Sequence, residues 1–364
     1  MNDEFAKKIL RETMDIWDNN ELTTELKDIQ IMSDLKYDDY QQYTHGMRYI
    51  ESLALWLRQF DSKKKSEAYN LVKNNLLYVS QQEMLQLVES AFNLRIKPHL
   101  ITITKEYIIE EKQELSQAKK MYDMILRKSL FLGLSDGAHI DYFRRQNPEL
   151  SNEQVFIHYD FSSEKADDMK KELKKDLECY EISSSLKKDD FLNYYLIDDF
   201  SASGTSFIRQ EGNKWRGKIP KFVEHIKEKY AVKNANIHLV LYLATEKAAD
   251  YISKKTKEFL KNTKITFKVD VLQYVSPLKC DEEQLDFLSQ DYINNINKYG
   301  QEQSYNDKHY KKGNGKKPYL GFADCSLPLI LYHNTPNNSF PILWYDWNDN
   351  QTALFPRVTR HREQ

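Results

Sequence analysis

The chain is predicted to be an α/β protein, a mostly parallel sheet flanked by helices with an α-helical N-terminal region in front of it. Three observations predict this. Apolar residues recur at helical intervals through most of residues 4–128, and from residue 129 five short apolar runs alternate with amphipathic or charged stretches. The third is composition: 40% hydrophobic residues in a chain of 364 suffice for a substantial core. The chain is rich in aromatics and poor in glycine, with 24 Tyr and 17 Phe against 10 Gly, so individual glycines carry positional meaning.

In order along the chain, "FAKKILRETMDIW" places Phe5, Ile9, Leu10 and Ile16 at helical spacing, and "MRYIESLALWLRQF" places Ile50, Leu53, Ala54, Leu57 and Phe60 on one face. "NNLLYVSQQEMLQLVESAFN" and "EYIIEEKQELSQAKKMYDMILRK" continue the helical pattern, with a break expected at Pro98 between them. Residues 1–124 are therefore expected to form a helical region serving as a lid or for partner docking. The strand candidates follow within 125–364: "SLFLGL" (129–134), "QVFIHYDF" (154–161), "YYLID" (194–198), "NIHLVLYLA" (236–244) and "ITFKVDVLQYV" (265–275). Between the second and third, "SSEKADDMKKELKKDLECYE" has the alternating charge of a solvated helix. The breaker-rich "NDKHYKKGNGKKP" (306–318) is expected to be a loop or mobile flap, and the chain shows no internal repeat.

Composition excludes several classes. Fifty-three basic and 55 acidic residues give a net charge of −2, so bulk electrostatics recruit neither nucleic acid nor membrane, and the sequence carries no direct nucleic-acid signature. No run of about 18 apolar residues is present. The charged N-terminus lacks the apolar core of a signal peptide, and the expectation is a cytoplasmic protein without membrane association. Three widely spaced cysteines, Cys179, Cys280 and Cys325, fit a reducing compartment better than a disulfide framework or a thiolate metal site. His45, His99, His158, His225 and His238 show no metal-ligand spacing and are expected to be structural or exposed.

The most informative stretch is "YYLIDDFSASGTSFIR". In an open α/β sheet, ligands bind beyond the carboxyl ends of strands, and Asp198 and Asp199 lie at such an end. Two carboxylates there either face solvent or bind hydroxyls or a cation. The following "SASGTS", with small hydroxyl residues, Gly204 and an expected helix start, has the ingredients of a phosphate cradle. A diol-binding acidic pair beside a phosphate loop points to a phosphorylated sugar.

At these residues the sequence resembles the phosphoribosyl pyrophosphate (PRPP) motif of type I phosphoribosyltransferases, which "YYLIDDFSASGTS" matches through Ser206. The resemblance implies a type I phosphoribosyltransferase-like fold in which Asp198 and Asp199 face the ribose hydroxyls. It implies that Ala202, Ser203, Gly204, Thr205 and Ser206 cup the 5′-phosphate, and that Mg²⁺ enters with the pyrophosphate, with Asp198 and Asp199 as further ligands. The upstream "LFLGLSDGAHIDYFRR" resembles the family's pyrophosphate loop at Ser135, Asp136, Gly137 and Ala138, with ordinary turn chemistry as the alternative, and the adjacent His139 is a candidate hydrogen-bond donor to a phosphate, with a surface or helix-capping role as its alternative. Two departures bear on chemistry. Ala202 stands where purine-salvage members often carry an acid, and the Ser135–Ala138 turn lacks the usual basic residue.

The C-terminal "GFADCSLPLILYHNTPNNSFPILWYDW" groups Asp324, His333, Asn334, Asn337, Asn338, Trp344 and Trp347. Carboxamides bond base edges and aromatic rings stack on them, so Asp324, Asn334, Asn337, Asn338 and Trp344 form a candidate base or acceptor pocket; turn chemistry and core packing are the alternatives. Together, "LIDDFSASGTS", "GLSDGAH" and this tail resemble the phosphoribosyltransferase-like proteins of bacterial conflict and antiphage systems, including retron loci. The resemblance implies an antiviral defence effector that is a phosphoribosyltransferase or cleaves nucleotide N-glycosidic bonds. It implies PRPP or a nucleotide as ligand and a protein or ribonucleoprotein partner from a defence locus. The alternatives are a catalytically inactive sensor of PRPP or nucleotides and a partner-binding module.

Overall fold

The computed structural model describes residues 3–14, 19–157, 163–188, 190–230, 232, 234–278, 317–345 and 352–358. The chain divides into two compact units, one made of Met1–Glu83 with Ser276–Gln364 and the other of Met84–Val275. The expected boundary at 124/125 therefore falls inside the second unit, and the first joins segments far apart in sequence. No helix among the described residues is long and apolar enough to cross a membrane.

The first unit begins with α1 (Asp3–Thr13), α2 (Asn19–Leu35), α3 (Tyr49–Leu57), α4 (Ser62–Asn75) and a short strand, β1 (Leu77–Val79). On α3 the periodic residues Ile50, Leu53, Ala54 and Leu57 are buried as their spacing requires, while Phe5 on α1 is exposed. The strand corrects the helical expectation for "NNLLYVS". Its partner, Leu329–Leu331, lies some 250 positions later, where Leu77 pairs in parallel with Leu329, so local periodicity could not show it.

The second unit runs from within α5 (Gln81–Ala91) through α6 (Lys97–Glu110), α7 (Ala118–Arg127), β2 (Ser129–Gly133), α8 (Ile140–Gln146), β3 (Val155–Phe156), α9 (Ser163–Glu178) and β4 (Asn193–Ser201). It continues through a hairpin, β5 (Arg209–Glu211) and β6 (Lys214–Arg216), then α10 (Lys218–Tyr230), β7 (Asn234–Ala244), α11 (Glu246–Leu260) and β8 (Lys264–Tyr274). Five strands form one parallel sheet in the order β3-β2-β4-β7-β8. The expected strands coincide with these, although β3 is shorter than "QVFIHYDF" and residues 158–161 lie outside the described residues. Central β4 and β7 are apolar on both faces, with Leu196, Ile197, Leu239, Val240 and Leu241 fully buried, as a sheet covered on both sides requires.

Successive side chains on β4 point to opposite faces. The Tyr194 ring packs 5.6 Å from Phe222 of α10, and the Tyr195 ring stacks 5.2 Å from Phe131 and approaches His99 of α6. Pro98 does not break the helix as expected. A π-helical turn, Phe92–Ile96, joins α5 to α6 with the Lys97 N–H donating to Phe92 O, and the widened turn accommodates the proline ring just beyond it. Arg95 on that turn donates through Nε and Nη2 to Val271 O at 3.2 and 3.1 Å, fastening the helix to β8.

The same face holds a polar cluster not evident from spacing. His99 Nδ1 lies 2.9 Å from the Tyr195 hydroxyl and 3.2 Å from His238 Nδ1, and His238 Nε2 lies 2.8 Å from Asp270 Oδ2, itself 2.9 Å from Lys268. Burial lowers the pKa of both histidines, that of His99 to about 4, which keeps this pair neutral at neutral pH.

After residue 275 the chain returns to the first unit with β9 (Leu329–Leu331) and α12 (Pro341–Trp344). The buried Trp56 Nε1 donates to Ile342 O at 2.8 Å, and Phe355 packs among Tyr37, Tyr40, Tyr43, Tyr49 and Tyr78 with ring centroids 5.2–6.1 Å away. Of the expected flap at 306–318, only Lys317 and Pro318 lie within the described residues.

Candidate functional site

The site lies at the carboxyl ends of β2, β4 and β7. β4 carries apolar residues from Tyr194 to Ile197 and then Asp198, which pairs in register with Leu241 of β7 and is fully buried. An isolated carboxylate is not tolerated there, and this one is doubly engaged. Its Oδ1 accepts from Ser135 Oγ and its Oδ2 is ion-paired with Lys218 Nζ. Burial pushes the Asp198 carboxyl up to about 6; Lys218 opposes the rise and neighbouring Asp199 adds to it. Asp199 is half-buried, and its Oδ1 accepts from the Phe200 N–H at 2.8 Å.

Ser135 comes from the turn after β2. There Leu134 N–H donates to Ile197 O at 2.9 Å, Ala138 N–H closes back on Ser135 O at 3.1 Å, and His139, at φ +45°, starts α8. The Tyr242 hydroxyl of β7 donates to Ala138 O at 2.7 Å and holds the turn from beneath; burial pushes its pKa well up, with both aspartates adding, so it remains a donor. Gly137 lies directly against Asp199, since a Cβ there would sit 2.3 Å from Asp199 Oδ2. The two motifs singled out in the sequence, Asp198–Asp199 and Ser135–Ala138, thus meet.

The second loop, Ala202–Ser206, leans the other way, onto β7 and α11. Thr245 Oγ1 donates to Ala202 O at 2.6 Å and the Thr245 N–H to Ser201 O at 3.1 Å. Gly204 has φ +76°, and a Cβ on it would lie 2.8 Å from Tyr251 Cδ1 and 3.1 Å from Ala248 O, so only glycine fits both the conformation and the space. Ser203 Oγ and Thr205 Oγ1 are 3.0 Å apart, and Arg209 Nη1 donates to Thr205 O at 3.3 Å. Among the described residues no acceptor takes the backbone N–H groups of Ser203, Gly204 or Ser206. Unbonded backbone donors in a turn suit an anion.

One expectation is corrected. The loop does not open a long helix: Phe207 and Ile208 N–H both donate to Gly204 O, closing a single turn, and the β5–β6 hairpin intervenes before α10. Lys218, the first residue of α10, is the site residue that sequence reasoning missed. The available signal was the Gly217–Lys218 step opening an amphipathic helix, but it stands 20 positions from Asp198, beyond the hairpin.

The C-terminal candidates belong to the first unit, and their polar groups hold that segment together. Asn338 Nδ2 donates to Phe322 O at 3.1 Å, Trp344 Nε1 to Ser339 O at 3.0 Å and Asn334 Nδ2 to Val358 O at 3.3 Å. Asp324 Oδ1 accepts from Lys317 N–H at 2.9 Å, and Asn337 O from Phe322 N–H at 2.8 Å. Ala323, Asp324 and Ser326 all have positive φ, between 50° and 61°, so this turn is strained.

The geometry offers carboxylates at the centre and a loop with unbonded backbone N–H groups on one flank. A second, hydroxyl-bearing turn lies on the other, and a lysine stands between. Among the described residues no three His, Cys, Asp or Glu side chains converge on one point, so a cation bound here would also need oxygens from the ligand.

None of the curated proteins and none of the solved structures compared matches the chain. A family model described as PRTase-CE matches residues 53–357, which include β2, β4, both loops and Lys218. The chain belongs to the PRTase-CE family, a phosphoribosyltransferase-type family.

Proposed function

We propose that this protein binds PRPP or a nucleotide through its ribose 5-phosphate and makes or breaks the bond at the anomeric carbon. The observation that carries the proposal is the position of Asp198 and Asp199 at the end of a central parallel strand, with Ser135 and Gly137 against them and the Ala202–Ser206 loop beside them. In this reading the vicinal ribose hydroxyls donate to the carboxylates and the 5′-phosphate accepts from the free N–H groups of the loop. Transfer passes through an oxocarbenium-like state. The C1–oxygen bond breaks with its electron pair leaving on the diphosphate, and an acceptor atom supplies the pair for the new bond at C1. Ring positive charge develops near the two carboxylates and is stabilised there. A Mg²⁺ ion carried in on the diphosphate would find hard oxygen donors in Asp198 and Asp199 beside those of the ligand, and would supply charge neutralisation of the leaving group.

The test is mass spectrometry of nucleotides in cells expressing the intact chain or Asp198→Asn/Asp199→Asn. A change in base, nucleotide or pyrophosphate pools is expected only with the intact chain; identical pools from two folded proteins would refute catalysis. A second reading, a non-catalytic sensor, is favoured by one observation: both oxygens of Asp198 are engaged within the protein. It predicts tight binding without product. A role in antiphage defence, with a protein or ribonucleoprotein partner, is proposed from the sequence resemblance, and plaque counts with the same double variant test it.

A further inference from the structure

Resting on the ribose-phosphate reading, we infer that Lys218 is an exchangeable counter-ion: it holds Asp198 when no ligand is bound and shifts its ammonium to a second anionic group at the C1 end of the bound sugar. The site then selects ligands with anions at both ends over ligands with a 5′-phosphate alone.

Three features carry this. The first is position. In the order β2-β4-β7, the Ala202–Ser206 loop is fastened to β7 and α11, whereas the Ser135–Ala138 turn arrives from β2 on the opposite flank of the acidic pair. A ribose whose diol meets the aspartates, with C5 toward the first loop, directs C1 toward Ser135. Ser135 and Lys218 bind the two oxygens of one carboxylate, so the ammonium stands beside that turn.

The second feature is construction. The Lys218 N–H donates to Ser206 O at 3.1 Å and the Ile219 N–H to Phe207 O at 3.0 Å, which ties the start of α10 to the phosphate loop. Gly217, at φ +122°, makes this approach possible, because a Cβ there would lie 2.4 Å from Phe207 O. The ammonium sits 5.0 Å from the Phe207 ring centroid. While Asp198 is fully buried, the Lys218 side chain is 30% exposed and retains room to change partner.

The third feature is charge. Asp198 and Asp199 lie together, and a phosphorylated ligand brings further negative charge. Arg209, a cation near the loop, is engaged with Glu211 and Thr205 O, whereas the Lys218 ammonium pairs directly with the buried Asp198 carboxylate. When Lys218 moves to the ligand, a ribose hydroxyl replaces it on Asp198 Oδ2, so no buried oxygen is stranded.

The experiment is calorimetric titration of the full chain with PRPP and, separately, ribose 5-phosphate, in wild type, Lys218→Met and Lys218→Arg, with folding checked by circular dichroism. Wild type should prefer PRPP. K218M should shrink that preference by at least about tenfold, the scale of one charge-assisted contact, while ribose 5-phosphate affinity changes less than about threefold, and K218R should restore part of the preference. A preference unchanged in K218M, a parallel fall for both ligands, or equal wild-type affinity for the two would overturn the inference. Failure of wild type to bind either ligand would instead remove the reading beneath it. Should K218M not fold, Lys218→Gln, which keeps a donor without the charge, decides on the same ratio.

Discussion

Replacing Asp198 with asparagine should make the protein more stable and less able to bind ligand. The Asp198 carboxyl is raised from its ordinary 3.8 to about 6, about two pH units, and at 1.36 kcal/mol per unit the ionised form costs roughly 3 kcal/mol in the folded state. The attraction of Lys218 is already contained in that balance. Asparagine keeps the shape, accepts from Lys218 and reaches Ser135 without carrying a charge, so D198N should gain up to about 3 kcal/mol at pH 7.5. The sign with pH is defined. Because the folded pKa lies above the unfolded one, the wild-type penalty is complete above about 6 and fades as pH falls toward 3.8. Urea unfolding of both proteins between pH 4 and 8 measures the gap, and a PRPP titration at each pH measures binding. A D198N protein less stable than wild type at pH 7.5, or a gap independent of pH, would refute the reasoning. A stabilising change that abolishes binding is what a carboxylate held charged for function should show.

Gly137→Ala sets a methyl group on the Asp199 carboxylate and Gly204→Ala strains the φ +76° turn; each should cost about 1–3 kcal/mol in stability and weaken PRPP binding at least about tenfold, which calorimetry on folded variants checks. His99, whose folded pKa is lowered to about 4, destabilises the fold as pH drops from 6.5 toward 4. His99→Gln should therefore flatten the acid limb of the unfolding profile over that window, and a limb as steep as wild type would count against a neutral His99–His238 pair.

The central strands β2, β4 and β7 were legible because a parallel sheet covered on both faces buries nearly every residue there, and such a strand is a near-continuous apolar run such as "YYLI" or "HLVLYLA". The acidic pair and the glycines were legible because charge at a strand end, and small residues after it, have few other physical uses. What escaped was non-local. β1 is three residues long and owes its state to β9, some 250 positions away. The division into units escaped for the same reason: α5–α7 share a unit with the sheet, while α1–α4 share one with the C-terminal segment. Lys218 reaches Asp198 only because the β5–β6 hairpin folds the chain back, and the hairpin sits where the sequence suggested an immediate helix. His99 and His238 meet across 139 positions through the packing of α6 on β7.

The central claim is that the two aspartates and the two loops hold a ribose 5-phosphate. Its most direct test is titration of the intact chain and of Asp198→Asn/Asp199→Asn with PRPP and Mg²⁺. The account predicts saturable, one-site binding by the intact chain and at least about a hundredfold loss in a folded double variant, the scale of two charge-assisted hydrogen bonds. Equal affinity in the two proteins would contradict it.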